Sequence, residues 1–439
     1  LAAQHGVNHA ALCRTESKVY WSIWPPTQRA ALFSGCAPRN TLFLAQMSET
    51  GITRRGFLRR FTAAAALIAG GASALKYFWQ KREQRGEIAM QTATGAVILD
   101  IHRLGFQWHT ADPFLFCVHH LDHYPQGNAA LGPKASLAGR DIGQDFTMRD
   151  ADPKSGNAWR MYHGEKVPGF PGHPHRGFET ITVVRSGFID HSDSMGAAGR
   201  YGAGDVQWMT AGAGVQHAEM FPLLDESNGN TLELFQIWLN LPRANKFVKP
   251  HFKMLWQKQI PVVEIADAQG ISTRVEVIAG AYQNAKPGAP PPDSWAADAA
   301  NAVAIWHIDI GANGTWQLPA AETPANRFLY FYDGEHAEFA GTRVTKGHGM
   351  KLNAQMPLTI VNAGKSAKLL MLQGKPIAEP VVQYGPFVMN TRQEIEQAFA
   401  DYQRTHFGGW PWPSAEPVHG KARGRFARHA TGEEETAAL

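Results

Sequence analysis

Along residues 95–375 the chain repeats one texture. Short runs rich in Val, Ile, Thr and aromatic residues, at 114–118, 180–184, 206–209, 235–241, 274–278, 302–310, 327–332 and 369–372, are separated by Gly, Asp and Pro. Such runs read as antiparallel strands joined by tight turns, because β-branched and aromatic side chains suit a pleated surface and glycine supplies turn conformations. One helix is predicted after Thr391, where Glu394 completes a capping box and Ile395, Ala398, Phe399 and Tyr402 recur at helical spacing. Lys249-Pro250 reads as a hinge between a first half at 95–248 and a second at 249–405. Each half is expected to close into a small barrel.

Against this apolar background the polar exceptions carry the chemistry. His173 and His175 form an H-x-H pair, and His217 with Glu219 forms an H-x-E pair. Side chains two apart on a strand share a face, so each pair can aim two groups at one point. Three imidazoles and one carboxylate then suit a divalent first-row ion. Glu179 shares parity with His173 and His175, which makes it a rival carboxylate. His119, His120, Asp122 and His123 split between two faces and read as polar rim near a turn. The second half has no H-x-H; His336 and Glu338 sit on a hairpin return, and His307 and His348 are isolated. The run 211–214 (AGAG) reads as a hairpin turn, with no following lysine to suggest a nucleotide loop.

Three segments, 169–180 (GFPGHPHRGFET), 204–219 (GDVQWMTAGAGVQHAE) and 380–391 (PVVQYGPFVMNT), resemble the pirin family of two-domain cupins, in that family's order. The resemblance runs from about residue 95 to 405. It implies an all-β fold of two tandem cupin (double-stranded β-helix) barrels with a short C-terminal helix, and metal in the N-terminal barrel alone. It also implies His173, His175, His217 and Glu219 as the ligands, and leaves Glu179 to orient a ligating imidazole.

Charged residues make up only 18% of the chain and the net charge is +4, which gives no case for nucleic-acid binding. The three cysteines, Cys13, Cys36 and Cys117, form no C-x-x-C pair, so neither a thiolate zinc site nor a disulfide framework is predicted. Residues 1–46 precede the first methionine, Met47, and read as a non-native start or disordered segment. Residues 47–74 resemble a twin-arginine export signal: Arg54-Arg55 precede Phe57 and Leu58, an Ala- and Gly-rich apolar stretch follows, and Ala72-Ser73-Ala74 offers a cleavage site. That apolar stretch is short for a spanning helix, which needs about 20 residues. A retained membrane anchor facing the periplasm is the alternative to cleavage. Residues 75–94 read as a linker and 406–439 as a disordered tail, Pro-rich, then basic, then acidic. The loop-rich stretch 126–170 leads into the H-x-H strand and is expected to cover the metal.

Four ligands on a six-coordinate ion leave open positions, which favours Fe(II), with Mn, Ni, Cu and Zn as alternatives. Zinc held by all four would have no vacancy and would be structural. Glu219 is placed to take a substrate proton, which makes it the candidate general base. Phe178, Trp208 and Met209 flank the ligand strands and could line a cavity for a flat aromatic molecule. The resemblance implies quercetin 2,3-dioxygenase chemistry on a flavonol or other phenolic substrate with O2, while the twin-arginine pattern points to an exported, periplasmic protein, expected to be a monomer. The alternative is a non-catalytic metal-binding protein that senses redox state or binds a partner.

Overall fold

The computed structural model describes residues 96–140, 142–143 and 158–437, so the expectations for residues 1–74 and for the linker at 75–94 lie outside the described residues. The described chain is almost entirely antiparallel sheet, with a single α-helix, Arg392–Thr405, among the described residues. Its predicted capping box is present: the Thr391 hydroxyl accepts from the Glu394 amide while the Glu394 carboxylate accepts from the Thr391 amide. Such a cap stabilises a helix by about 0.5–2 kcal/mol. Among the described residues no helix is long and apolar enough to cross a membrane.

Two six-stranded sheets make the first barrel. One orders His251–Leu255, Val206–Thr210, Phe178–Ser186, Asn230–Asn240, Phe114–Tyr124 and Gln107–Trp108. The other orders Glu434–Thr436, Phe426–Arg428, Ala198–Gly202, Phe188–Asp193, Val215–Met220 and Gly169–His175. The second barrel joins a seven-stranded sheet to a four-stranded one. Its interior is a continuous apolar core that includes Val275, Trp306, Ile308, Leu329, Phe331 and Met371. The two barrels meet through a second apolar layer, in which Ile181, Val183, Trp208 and Phe235 of the first pack with Ile278, Ile305, Phe328 and Leu370 of the second. Alternation along each strand therefore sends one set of side chains into the barrel and the other into the contact between barrels.

The hinge at Lys249-Pro250 does not separate the barrels' strands. Ile98–Arg103 pairs with His348–Asn353 of the second barrel, and His251–Leu255 pairs with Val206–Thr210 of the first. The tail corrects a second expectation. Far from being disordered, it returns to the first barrel, where Phe426–Arg428 pairs with Ala198–Gly202 and then with Glu434–Thr436. Arg200 anchors it: its guanidinium makes two 2.7 Å bonds to Asp190 and also donates to the carbonyls of His419, Gly420 and Arg423. Asp190 and Arg200 are buried because the tail lies over them.

The histidine cluster of Phe114–Tyr124 is likewise not a polar rim. His120 and Asp122 point inward and are buried, with His120 Nδ1 2.7 Å from the Tyr162 hydroxyl, and Asp122 accepting from Tyr162 at 2.6 Å and Arg160 at 2.9 Å. His119 and His123 lie on the opposite parity and meet Glu233 and Thr231.

Candidate metal centre

The H-x-H strand Gly169–His175 and the H-x-E strand Val215–Met220 pair antiparallel, with His173 directly opposite His217. Pro174 is tolerated between the histidines because this is an edge strand with no ladder on its far side. Both pairs face into the barrel, and a candidate ligand atom from each of His173, His175 and His217 lies within 4.8 Å of the other two. The ring centroids stand 4.5–4.9 Å apart.

Each ring's hydrogen bonding decides which nitrogen can bind an ion. His173 Nδ1 lies 2.8 Å from the Pro171 carbonyl and His175 Nδ1 lies 3.4 Å from the Pro386 carbonyl. A carbonyl only accepts, so both protons sit on Nδ1 and both Nε2 lone pairs face inward. His217 is fully buried and neither of its ring nitrogens has a partner. A buried imidazole left unbonded is costly, and a metal ion would supply the partner that its lone-pair nitrogen lacks. The donor set of this chain therefore fits a divalent ion.

Burial also keeps these rings neutral, as metal ligands must be. It pushes His173 from 6.5 down to about 4 and His175 and His217 well below their ordinary value, and it takes His163, beside His173, to about 4. Depressed folded-state values mean the unfolded chain binds more protons between about 6.5 and 4. The metal-free protein should therefore be fully stabilised above about pH 6.5 and lose stability as pH falls toward 4. Glu219 and Glu179, both raised by burial, work in the opposite sense, but the four histidines outnumber the two carboxyls. Denaturant midpoints at pH 7, 5.5 and 4.5 would check this; a flat profile would contradict it.

Glu219 stands beside the three-ring group. One carboxylate oxygen accepts from Thr182 Oγ1 at 3.1 Å, and the other accepts from Gln236 Nε2 at 2.7 Å while lying 3.9 Å from His217 Nε2. Thr182 and Gln236 are register partners on adjacent strands, so their inward parity brings both to the same carboxylate.

Glu179 does not join them. The strand breaks at Arg176-Gly177, where Gly177 takes the left-handed φ of +84° and approaches the Val388 carbonyl too closely for a Cβ. This turn shifts the phase, so Glu179 faces the contact between barrels, accepting from Thr210 at 2.6 Å and Ser294 at 2.5 Å. Burial lifts its carboxyl to about 7. It orients no imidazole. Trp208 is on the same outward parity and belongs to the inter-barrel layer, while Met209 packs with Ala211 and Val215. Phe178 does adjoin the site, 5.0 Å from the His175 ring and stacked at 4.0 Å on Trp238, which in turn lies 4.3 Å from Phe116.

The segment 380–391 also contributes, although it follows the second barrel. Its Pro386 carbonyl meets His175, and Val388 packs against Phe178 and Trp238. The described part of the 126–170 stretch packs against the start of the H-x-H strand, where the Gly169 amide donates to Met161. In the second barrel His336 and Glu338 flank the inward-facing Ala337 and so turn away from the core, and His307 meets Tyr332 and Glu276. Among the described residues no other group of three His, Cys, Asp or Glu side chains comes this close.

Two tandem double-stranded β-helix barrels, one with a polar histidine-lined interior and one filled with apolar side chains, define a bicupin. Family models described as Pirin and as Pirin C-terminal cupin domain match residues 131–239 and 305–408. A Pseudomonas aeruginosa protein provisionally named quercetin 2,3-dioxygenase is 37% identical over 237 residues, covering 54% of this chain and 78% of that protein. Pirin of Mus musculus is 32% identical, covering 56% of this chain and 80% of that protein. A solved structure of quercetin 2,3-dioxygenase from Acinetobacter baumannii superposes with a TM-score of 0.55 at 27% identity, covering 71% of this chain and 98% of that one. The chain belongs to the pirin family.

Proposed function

We propose that this protein is a metal-dependent dioxygenase of the pirin type, acting on a flavonol or other phenolic compound with O2, with Fe(II) as its ion. The observation that carries this reading is the convergence of three neutral imidazoles, one with both nitrogens unsatisfied, beside a buried carboxylate. The names of two similar proteins, quoted above, support the choice of reaction and substrate class.

His173, His175 and His217 would hold the ion, with Glu219 as fourth ligand. Bound there, a redox-active divalent ion would supply the one-electron chemistry that O2 requires. Glu219 would serve as the base once its bond to the ion loosens. Burial raises its proton affinity, and the hydrogen bonds from Thr182 and Gln236 fix its oxygens, so it can accept a proton from a substrate hydroxyl brought to the cluster. Phe116, Trp238 and Phe178 give the site an aromatic wall beside His175, suited to a flat ring system. The test is O2 consumption by iron-loaded protein with quercetin and a panel of flavonols and catechols. Turnover with at least one is expected; near-stoichiometric iron with no uptake across the panel would instead favour a non-catalytic binding role.

The twin-arginine pattern at 54–58 supports export to the periplasm as part of the same proposal. Replacing both Arg54 and Arg55 with lysine should trap the precursor in the cytoplasm, read by fractionation and immunoblot. Undiminished periplasmic protein would refute the signal.

A further inference from the structure

Gly172 immediately precedes His173, and Gln216 immediately precedes His217. Because His173 and His217 point inward and face each other across the ladder, Gly172 and Gln216 point outward on the back of the same sheet. Both are held there by the last turn of the helix and the segment that follows it. The Gly172 amide donates to the Ala415 carbonyl at 2.8 Å, and the Trp410 ring lies so close over Gly172 that an added Cβ would sit 3.3 Å from it. Gln216 is gripped from three sides: its amide nitrogen donates to the carbonyls of His406 at 2.6 Å and Gly409 at 3.0 Å, and its amide oxygen accepts from the Tyr402 hydroxyl at 2.8 Å.

We propose that residues 406–415 form a positioning strap which, through Gly172 and Gln216, sets how firmly the three-histidine centre holds its ion. The proposal rests on the reading of that centre as a metal site. An edge strand paired on one side only is free to shift its backbone, and ligand geometry is productive only within about 0.5 Å. For the edge strand Gly169–His175 the strap supplies from behind the constraint that the missing neighbour would have given, and for Val215–Met220, paired on both sides, it adds the hold on Gln216. The match to the pirin C-terminal cupin model stops at residue 408, so most of this strap lies beyond it.

The test uses the full chain loaded with Co(II), whose visible spectrum reports ligand geometry. Release to excess chelator is timed for wild type, Trp410→Ala, Trp410→Phe and Gln216→Leu. We expect release at least tenfold faster in the alanine and leucine variants, an altered Co(II) spectrum, and near wild-type behaviour for Trp410→Phe. The rise in unfolding midpoint on adding Co(II) should also shrink, which a merely structural tail would not cause, since that would lower metal-free and metal-loaded midpoints alike. Wild-type release rates with equally lowered midpoints would overturn the strap. Should Gln216→Leu fail to fold, Trp410→Ala decides, because Trp410 is partly exposed. Wild-type protein that takes up no Co(II) would remove the metal reading itself, and the strap with it.

Discussion

His217→Ala should leave the protein folded and without its metal. The ring is the middle of the cluster, 4.5 Å from His173 and 4.9 Å from His175 by centroid, and neither of its nitrogens bonds to protein. Its removal therefore costs no internal hydrogen bond, only packing, while taking one of three imidazoles from the ion. Loss of an outer partner of a metal ligand already weakens binding roughly 10–100-fold, so loss of a ligand should exceed about 100-fold. Metal analysis of purified variant and wild type, with circular dichroism to confirm the fold, gives the answer. Full occupancy in the variant would mean that the centre lies elsewhere. O2 uptake with a flavonol should vanish in parallel.

Arg200→Ala should be the most destabilising single change on the back of that sheet. The side chain is 1% exposed, pairs bidentately with the fully buried Asp190 and donates to three tail carbonyls. Alanine would strand the Asp190 charge and leave those carbonyls without their donor. Breaking a buried pair from one side costs about 3–5 kcal/mol. Urea unfolding should show that loss, together with early proteolysis after residue 409. A variant within ~1 kcal/mol of wild type would show that the tail is held mainly by its strand pairing.

The inward-facing histidines were legible in the sequence because strand parity has period two and nothing interrupts it between His173 and His175, or between His217 and Glu219. The same rule misplaced Glu179, since one left-handed glycine at 177 resets the phase. It also could not distinguish Trp208 from Phe178, because both are large buried aromatics and only the register shows which of them adjoins His175. Thr182 and Gln236 had the correct parity but no distinguishing chemistry until the register set them side by side. The tail was illegible for another reason: backbone carbonyls gripped by Arg200, and a three-residue strand, fix it in place. A pattern of apolar positions records neither.

The crossing of strands between barrels governs the order in which the chain can be completed. The first strand of the described fold, Ile98–Arg103, has to wait for His348–Asn353 before it gains a ladder partner, and the metal-bearing sheet has to wait for Phe426–Arg428. A chain truncated before residues 426–428 would leave the Ala198–Gly202 edge unpaired, a ladder open to another chain or to the cell's quality control.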